Sequence, residues 1–286
     1  MSQNRVYLDS HALTEVPAWV AELSTLPALY LHANRLTALP DWLWTRRDLE
    51  ILSIGDNPLH PVPDRFADLP RLRELYLHNL DLTAIPSTVA ALTALRILDL
   101  GHNRIDSVPE RLGGLTALEF LYLSDNRLTH LPETLFERLS SLRYLGLTDN
   151  PGIILPASIG RLTALIELRL YKNQLTALPE SIGGLAKLRE LHVMDNHLER
   201  LPDSLGDLSA LTDLSVRNNR IMHLPDSMRA LDHLITLDLR ANRFTSLPDW
   251  LGELPKLRKL DLRWNKISTR PTWTESFERR GGTIYW

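Results

Sequence analysis

Apolar residues recur along this chain with a rhythm that changes inside each short stretch. After Pro179 they fall at Ile182, Leu185, Leu188, Leu191 and Val193, and Asn196 follows. Steps of three match a helical or 3₁₀ turn, and the closing step of two matches a strand with alternate side chains buried. Each stretch therefore predicts a turn on one side and a short strand on the other. The stretch is repeated. Twelve prolines (Pro17, Pro40, Pro63, Pro86, Pro109, Pro132, Pro156, Pro179, Pro202, Pro225, Pro248 and Pro271) stand 23 residues apart, except for one step of 24 between Pro132 and Pro156. A second column lies 17 residues after each proline, or 18 across the long step. It reads Asn34, Asn57, Leu80, Asn103, Asn126, Asn150, Asn173, Asn196, Asn219, Asn242 and Asn265, with His11 one unit earlier. One unit cannot bury its own leucines, but stacked units can.

Proline suits the start of a turn, where no N–H is needed. The asparagine amide can satisfy backbone groups where the chain turns out of each strand, and stacked units would make a ladder of such bonds. About twelve units account for residues 1–286, so we expect one repeat array, with residues 271–286 as a C-terminal capping half-repeat.

The pattern LxxLxxLxLxxNxLxxLP, as in residues 185–202 (LAKLRELHVMDNHLERLP), resembles the leucine-rich repeat. The 23-residue LPxxIGxL version is similar to the intracellular class of Shoc-2-type scaffolds, plant Ras-group-related proteins and many bacterial repeat proteins. The resemblance implies an α/β solenoid: a curved horseshoe with a parallel β-sheet on the concave face and short helical or 3₁₀ turns on the convex face. It also implies protein binding on the concave face, which is where known members usually bind.

Departures from the repeat carry their own expectations. Leu80 takes a ladder position, so the ladder is expected to break there. The extra residue near 136–138 should bulge the convex side, and Gly152, in a leucine slot, should remodel its corner. Arg46 stands at an apolar position, with Trp44 placed to cover it. Glycines four residues after the proline (Gly113, Gly160, Gly183, Gly206 and Gly252) read as tight-turn residues. All seven tryptophans lie near the ends, at 19, 42, 44, 250, 264, 273 and 286. They read as end caps or as a docking patch. Gly281-Gly282 should lead into a last strand with Ile284 and Trp286 inward.

Strand positions that do not point inward must line the concave face. Counting back four and two residues from each ladder position collects Tyr7, Tyr30, Tyr76, Tyr122, Arg169 and His192, then His32, His78, Tyr171, Arg217, Arg240 and Arg263. Counting back six adds Phe120 and Tyr144. Tyrosine and arginine are favoured at protein–protein hot spots. Tyrosine also suits a half-buried strand surface on its own account. Small residues at Ser53, Gly55, Gly101 and Gly146 read as gaps between the rings. The Arg217, Arg240 and Arg263 stripe has two readings: partner recognition, or a ladder of ion pairs to aspartates on neighbouring strands.

Composition narrows the function. The 286 residues carry 32 basic and 35 acidic side chains, a net charge of −3, and no cysteine. Near-neutrality gives no general field for nucleic acid or an acidic membrane surface. Without cysteine there is no disulfide, thiolate zinc site or cysteine nucleophile, which fits a reducing compartment. No secretory h-region or spanning apolar run is visible. No catalytic, nucleotide or calcium motif is found. His32 and His78 sit two strands apart, roughly 10 Å on strand spacing alone, so no metal and no cofactor is expected. The expectation is a cytoplasmic, non-enzymatic scaffold, monomeric by preference, that binds a protein partner but neither nucleic acid nor membrane. Alternatives are an effector-type module exported to a host cell without a signal peptide, and a substrate-recruiting arm of a separate enzyme.

Overall fold

The computed structural model describes residues 4–286. Thirteen strands of three residues form one parallel sheet in sequence order. They are β1 Arg5–Tyr7, β2 Ala28–Tyr30, β3 Ile51–Ser53, β4 Glu74–Tyr76, β5 Ile97–Asp99, β6 Phe120–Tyr122 and β7 Tyr144–Gly146. Then come β8 Glu167–Arg169, β9 Glu190–His192, β10 Asp213–Ser215, β11 Thr236–Asp238, β12 Lys259–Asp261 and β13 Thr283–Tyr285. In each strand the middle residue points inward, and the flanking two face the open side of the sheet. The sheet lines the concave face of a solenoid and 3₁₀ turns form its convex face. The buried leucines join into one continuous core, from Val6 to Phe277.

Most turns begin one residue after the register proline. In Glu180–Gly184, Pro179 stands just outside the turn at φ −68° and its carbonyl accepts from Ile182 N–H at 3.0 Å. Proline therefore serves as an acceptor with a preset φ, rather than as the first turn residue. At some units the acidic side chain one residue after the proline caps the next unit's turn, as Asp64, Glu133 and Glu180 do. Asp64 accepts from the backbone N–H of Ser87 at 2.9 Å and of Thr88 at 2.8 Å, and from the Thr88 hydroxyl at 2.7 Å. Burial works to raise the Asp64 pKa, but the hydrogen bonds from Ser87 and Thr88 prevail and hold it at about 2. An unfolded aspartate titrates near ~3.9. Because the folded value is the lower, the cap's stabilisation is present above about pH 4 and is lost as pH falls towards 2. Asp64→Ala should therefore lower Tm at pH 6 and leave it nearly unchanged at pH 2. Thermal melts at the two pH values would check this.

The asparagine ladder forms as expected. Asn196 accepts from Asn173 N–H and Leu175 N–H at 3.0 Å each, and donates to the carbonyls of Leu170, Val193 and Met194 at 2.9, 3.0 and 3.1 Å. The break at Leu80 is one-sided. Leu80 N–H still donates to Asn103 Oδ1 at 3.0 Å, but its side chain returns nothing to the preceding unit. Asn79 instead donates across to Asp56 Oδ1.

The other irregularities resolve similarly. Between Pro132 and Leu139 the chain makes irregular turns around buried Phe136, and no regular 3₁₀ turn forms there. Gly152 adopts φ +98° and donates to Asn173 O at 3.1 Å, which leaves Ile154 69% exposed. Arg46 reaches back to carbonyls of the first turn, with 2.8 Å to both Leu23 O and Ala21 O. Trp44 is buried, edge-on to Phe66.

The glycine slot is not a matter of turn conformation. A Cβ at Gly160 would overlap the Ser181 carbonyl oxygen, one at Gly183 would sit 2.6 Å from Ser204 O, and one at Gly206 would overlap Ser227 O. These glycines have ordinary φ. They are there because successive turns stack backbone against backbone, each glycine under a serine of the next unit. At the C-terminal end Trp273 takes the serine's place and lies flat on Gly252, with a virtual Cβ–Cγ distance of 2.5 Å. Trp273 and Trp250 are buried end caps, whereas Trp19 and Trp264 are exposed. The last turn is a short α-helix, α1, Thr274–Arg279, and Ile284 and Trp286 pack on the core.

Candidate concave-face site

In-register pairing brings the third strand residues into one row: Tyr7, Tyr30, Ser53, Tyr76, Asp99, Tyr122, Gly146, Arg169, His192, Ser215, Asp238, Asp261 and Tyr285. Register fixes this row, because a slip of one residue would turn the row inward and expose the buried middle residues. The row divides into clusters.

At the N-terminal end Tyr7 and Tyr30 stack, with ring centroids 4.8 Å apart and planes 8° from parallel. Tyr76 donates to Glu74 Oε2 at 2.9 Å. In the middle, Tyr122 and Tyr144 lie 4.6 Å apart, Phe120 is 6.5 Å from Tyr144, and the Arg169 guanidinium sits 5.6 Å over the Tyr144 ring. Arg169 is held by Glu167 at 2.5 Å. Burial raises the pKa of Tyr30, Tyr76 and Tyr122, and pushes Tyr144 to about 12, so these rings remain neutral phenols at any physiological pH. Tyr171 is half-buried in the row two residues further on.

The expected gaps are filled. A Cβ on Gly55 would meet His78 Cε1 at 2.5 Å, and one on Gly146 would meet the Tyr144 ring at 3.1 Å. Each glycine seats a neighbour's ring. This also overturns the separation expected for His32 and His78. Their backbones are two strands apart, but with glycine at position 55 the rings meet, with His78 Nε2 3.0 Å from His32 Nδ1. Hydrogen bonding to Asp99 raises the His78 pKa and outweighs burial.

At the C-terminal end the arginines are paired, but not chiefly with the next strand. Arg240 meets Asp238 at 3.0 Å and Arg263 meets Asp261 at 2.6 Å, each two residues back on its own chain segment. Residues two apart share a face at about 7 Å spacing, which a long guanidinium spans by folding back. The cross-strand contact is Arg240 Nε to Asp261 Oδ2 at 3.6 Å, and Arg217 reaches Asp195 at 3.5 Å. Burial opposes the charge of Asp261, yet the Arg263 hydrogen bonds hold its pKa below the usual carboxylate range. His192 contacts Glu190 at 3.3 Å. Nothing brings the N-terminal tyrosines and this arginine end together; they stand at opposite ends of the sheet.

Two residues were not placed on this face from the sequence, although Trp264 was named among the end tryptophans. Tyr285 extends the tyrosine row on β13, so all seven tyrosines lie on this face. Trp264 is 73% exposed, and Arg240 and Arg263 each sit 5.9 Å from its ring. Its φ of +60° is unusual for a bulky residue. Its signal was a tryptophan in a column otherwise held by Ser, Ala, Asp, Asn, His and Lys.

Comparison with known proteins places the architecture. Residues 70–128, 93–151 and 202–267 match the leucine rich repeat family, and residues 134–219 match the leucine-rich repeat region. No curated protein matches. Among solved structures, a Leptospira interrogans LRR protein is 30% identical, with a TM-score of 0.69 over 96% of this chain and 82% of that one. An internalin of Listeria monocytogenes superposes with a TM-score of 0.78 at 23% identity, covering 98% of this chain and 86% of that one. A plant peptide hormone receptor, RGFR1, solved in complex with RGF2, gives a TM-score of 0.78 at 26% identity over 95% of this chain. The match spans only 45% of that receptor chain. Sequence, register and likeness agree: the chain belongs to the leucine-rich repeat family.

Proposed function

We propose that the chain is a non-enzymatic recognition scaffold that holds a protein partner against its concave sheet face. The observation that carries this is the row of tyrosines on one face. Between the exposed Tyr7 and Tyr285 the rings are half-buried, and several are prearranged by stacking, by the Tyr76–Glu74 hydrogen bond and by Arg169 over Tyr144. They offer broad contact area at little further cost in side-chain entropy. Tyr76, Tyr122 and Tyr144 would form the centre, and Arg169 would orient the partner's charge. The leucine-rich repeat fold is commonly a protein–protein interaction module, and one solved neighbour is a receptor in complex with its peptide hormone. The absence of cysteine favours a reducing, cytoplasmic setting. Among the described residues no helix is long and apolar enough to cross a membrane.

Affinity capture from the native cells, with wild-type and Tyr76→Ala/Tyr122→Ala baits, tests the proposal. The expected result is a protein retained by the wild type and lost or reduced at least tenfold with the double variant, while the two proteins melt within a few degrees of each other. Equal capture by both would remove the concave face from the account.

A further inference from the structure

We propose that His32, Asp56 and His78 form a binding site for one divalent transition-metal ion, of which Zn²⁺ is the representative. The three side chains come from three successive units. Their donor atoms, His32 Nδ1, Asp56 Oδ2 and His78 Nε2, form a triangle with edges of 3.0, 3.3 and 3.8 Å. Zinc binds imidazole nitrogen and carboxylate oxygen at about 2.0–2.2 Å in tetrahedral sites, so neighbouring donors there stand about 3.3–3.5 Å apart. The triangle thus has the size of one tetrahedral face. It leaves a fourth position to water, because His32 and Asp56 are both partly open to the groove.

The supporting residues fit the same use. Asp99 Oδ2 lies 3.3 Å from His78 Nδ1, the ring nitrogen away from the triangle. A carboxylate at that distance favours the proton on Nδ1 and so leaves Nε2 to ligate. On the other side Asn79 donates to Asp56 Oδ1, which aims Oδ2 at the two rings. Gly55 completes the arrangement, since any side chain at that position would displace the His78 imidazole. A hydrogen-bonded imidazole pair by itself needs neither the carboxylate on the third side nor the two groups that orient it.

A second cluster, Glu167, Glu190 and His192, also brings three donor groups together. There the Arg169 guanidinium already holds Glu167 at 2.5 Å and opposes a cation. That cluster supplies the control.

The test uses untagged full-length protein stripped with a chelator and titrated with Co²⁺, then with Zn²⁺. The expected result is one equivalent of Co²⁺ with the visible absorption of a tetrahedral nitrogen–oxygen complex, displaced by one equivalent of Zn²⁺. His78→Ala and Gly55→Ala should each weaken binding at least tenfold, and Asp99→Asn roughly tenfold. His192→Ala should leave it unchanged. Gly55→Ala alters no ligand and asks only a ring to move, so it separates loss of the site from loss of the fold. Absence of stoichiometric binding would overturn the proposal. So would binding that survives both His78→Ala and Gly55→Ala, or binding abolished by His192→Ala.

Discussion

Replacing Asn196 with alanine is expected to lower the free energy of unfolding by roughly 2–6 kcal/mol, since each buried backbone group left without a partner costs about 1–3 kcal/mol. The loss falls on donors. The Leu170 carbonyl would keep the Asn173 amide, Val193 O would keep Asn219, and Met194 O would keep the Lys172 N–H. The N–H groups of Asn173 and Leu175 have Asn196 Oδ1 as their acceptor, and both residues are buried. Two orphaned donors therefore set the size of the effect. Urea unfolding of the variant would measure it. A change below about 1 kcal/mol would mean that water replaces the amide, and that the ladder contributes order more than stability.

The second large effect is expected at Gly160. Alanine there should destabilise by about 2–3 kcal/mol, the upper part of the range of about 1–3 kcal/mol typical of overpacking, because the obstructing atoms cannot turn aside. The obstructing group is the carbonyl of Ser181, and from the other side Gly184 lies so close that its own Cβ would be 2.5 Å from Gly160 O. Gly114 provides the contrast. A Cβ there meets nothing within 4 Å and its φ is ordinary, so Gly114→Ala should be neutral or stabilise by up to about 1 kcal/mol through the unfolded chain. Paired thermal melts would test the difference. If both substitutions were neutral, the convex turns would have to be able to separate, and close stacking would no longer explain the glycine column.

These two positions mark what was legible in the sequence. The leucine, proline and asparagine columns identify the fold because each is nearly a single residue type at a fixed period. The concave rows follow by counting, since strand register ties one column to one face. What the count could not supply was side-chain reach. Strand spacing put His32 and His78 apart, and the glycine between them let the rings meet. Of the two readings left open for the arginine stripe, the ladder to neighbouring strands holds for Arg217 and in part for Arg240, while Arg263 turns back along its own segment, which a count of columns cannot foresee. Tyr285 was missed because Gly281-Gly282 and α1 replace the usual turn and no ladder residue follows from which to count back. The glycine slot was visible, but its cause was not. A backbone contact between units leaves the same mark as a turn that needs positive φ.

The one-sided break at Leu80 has a consequence for how the solenoid comes apart. Where units touch only their neighbours, stability is a chain of local couplings, and the weakest of them divides the molecule into cooperative blocks. At Leu80 the junction with the preceding unit lacks the amide that clasps the others. It keeps the sheet, the core and the bridge from Asn79 to Asp56. The first three units are thus expected to open apart from the remainder at this seam, and the imidazole pair that reaches from unit two to unit four lies across it like a stitch.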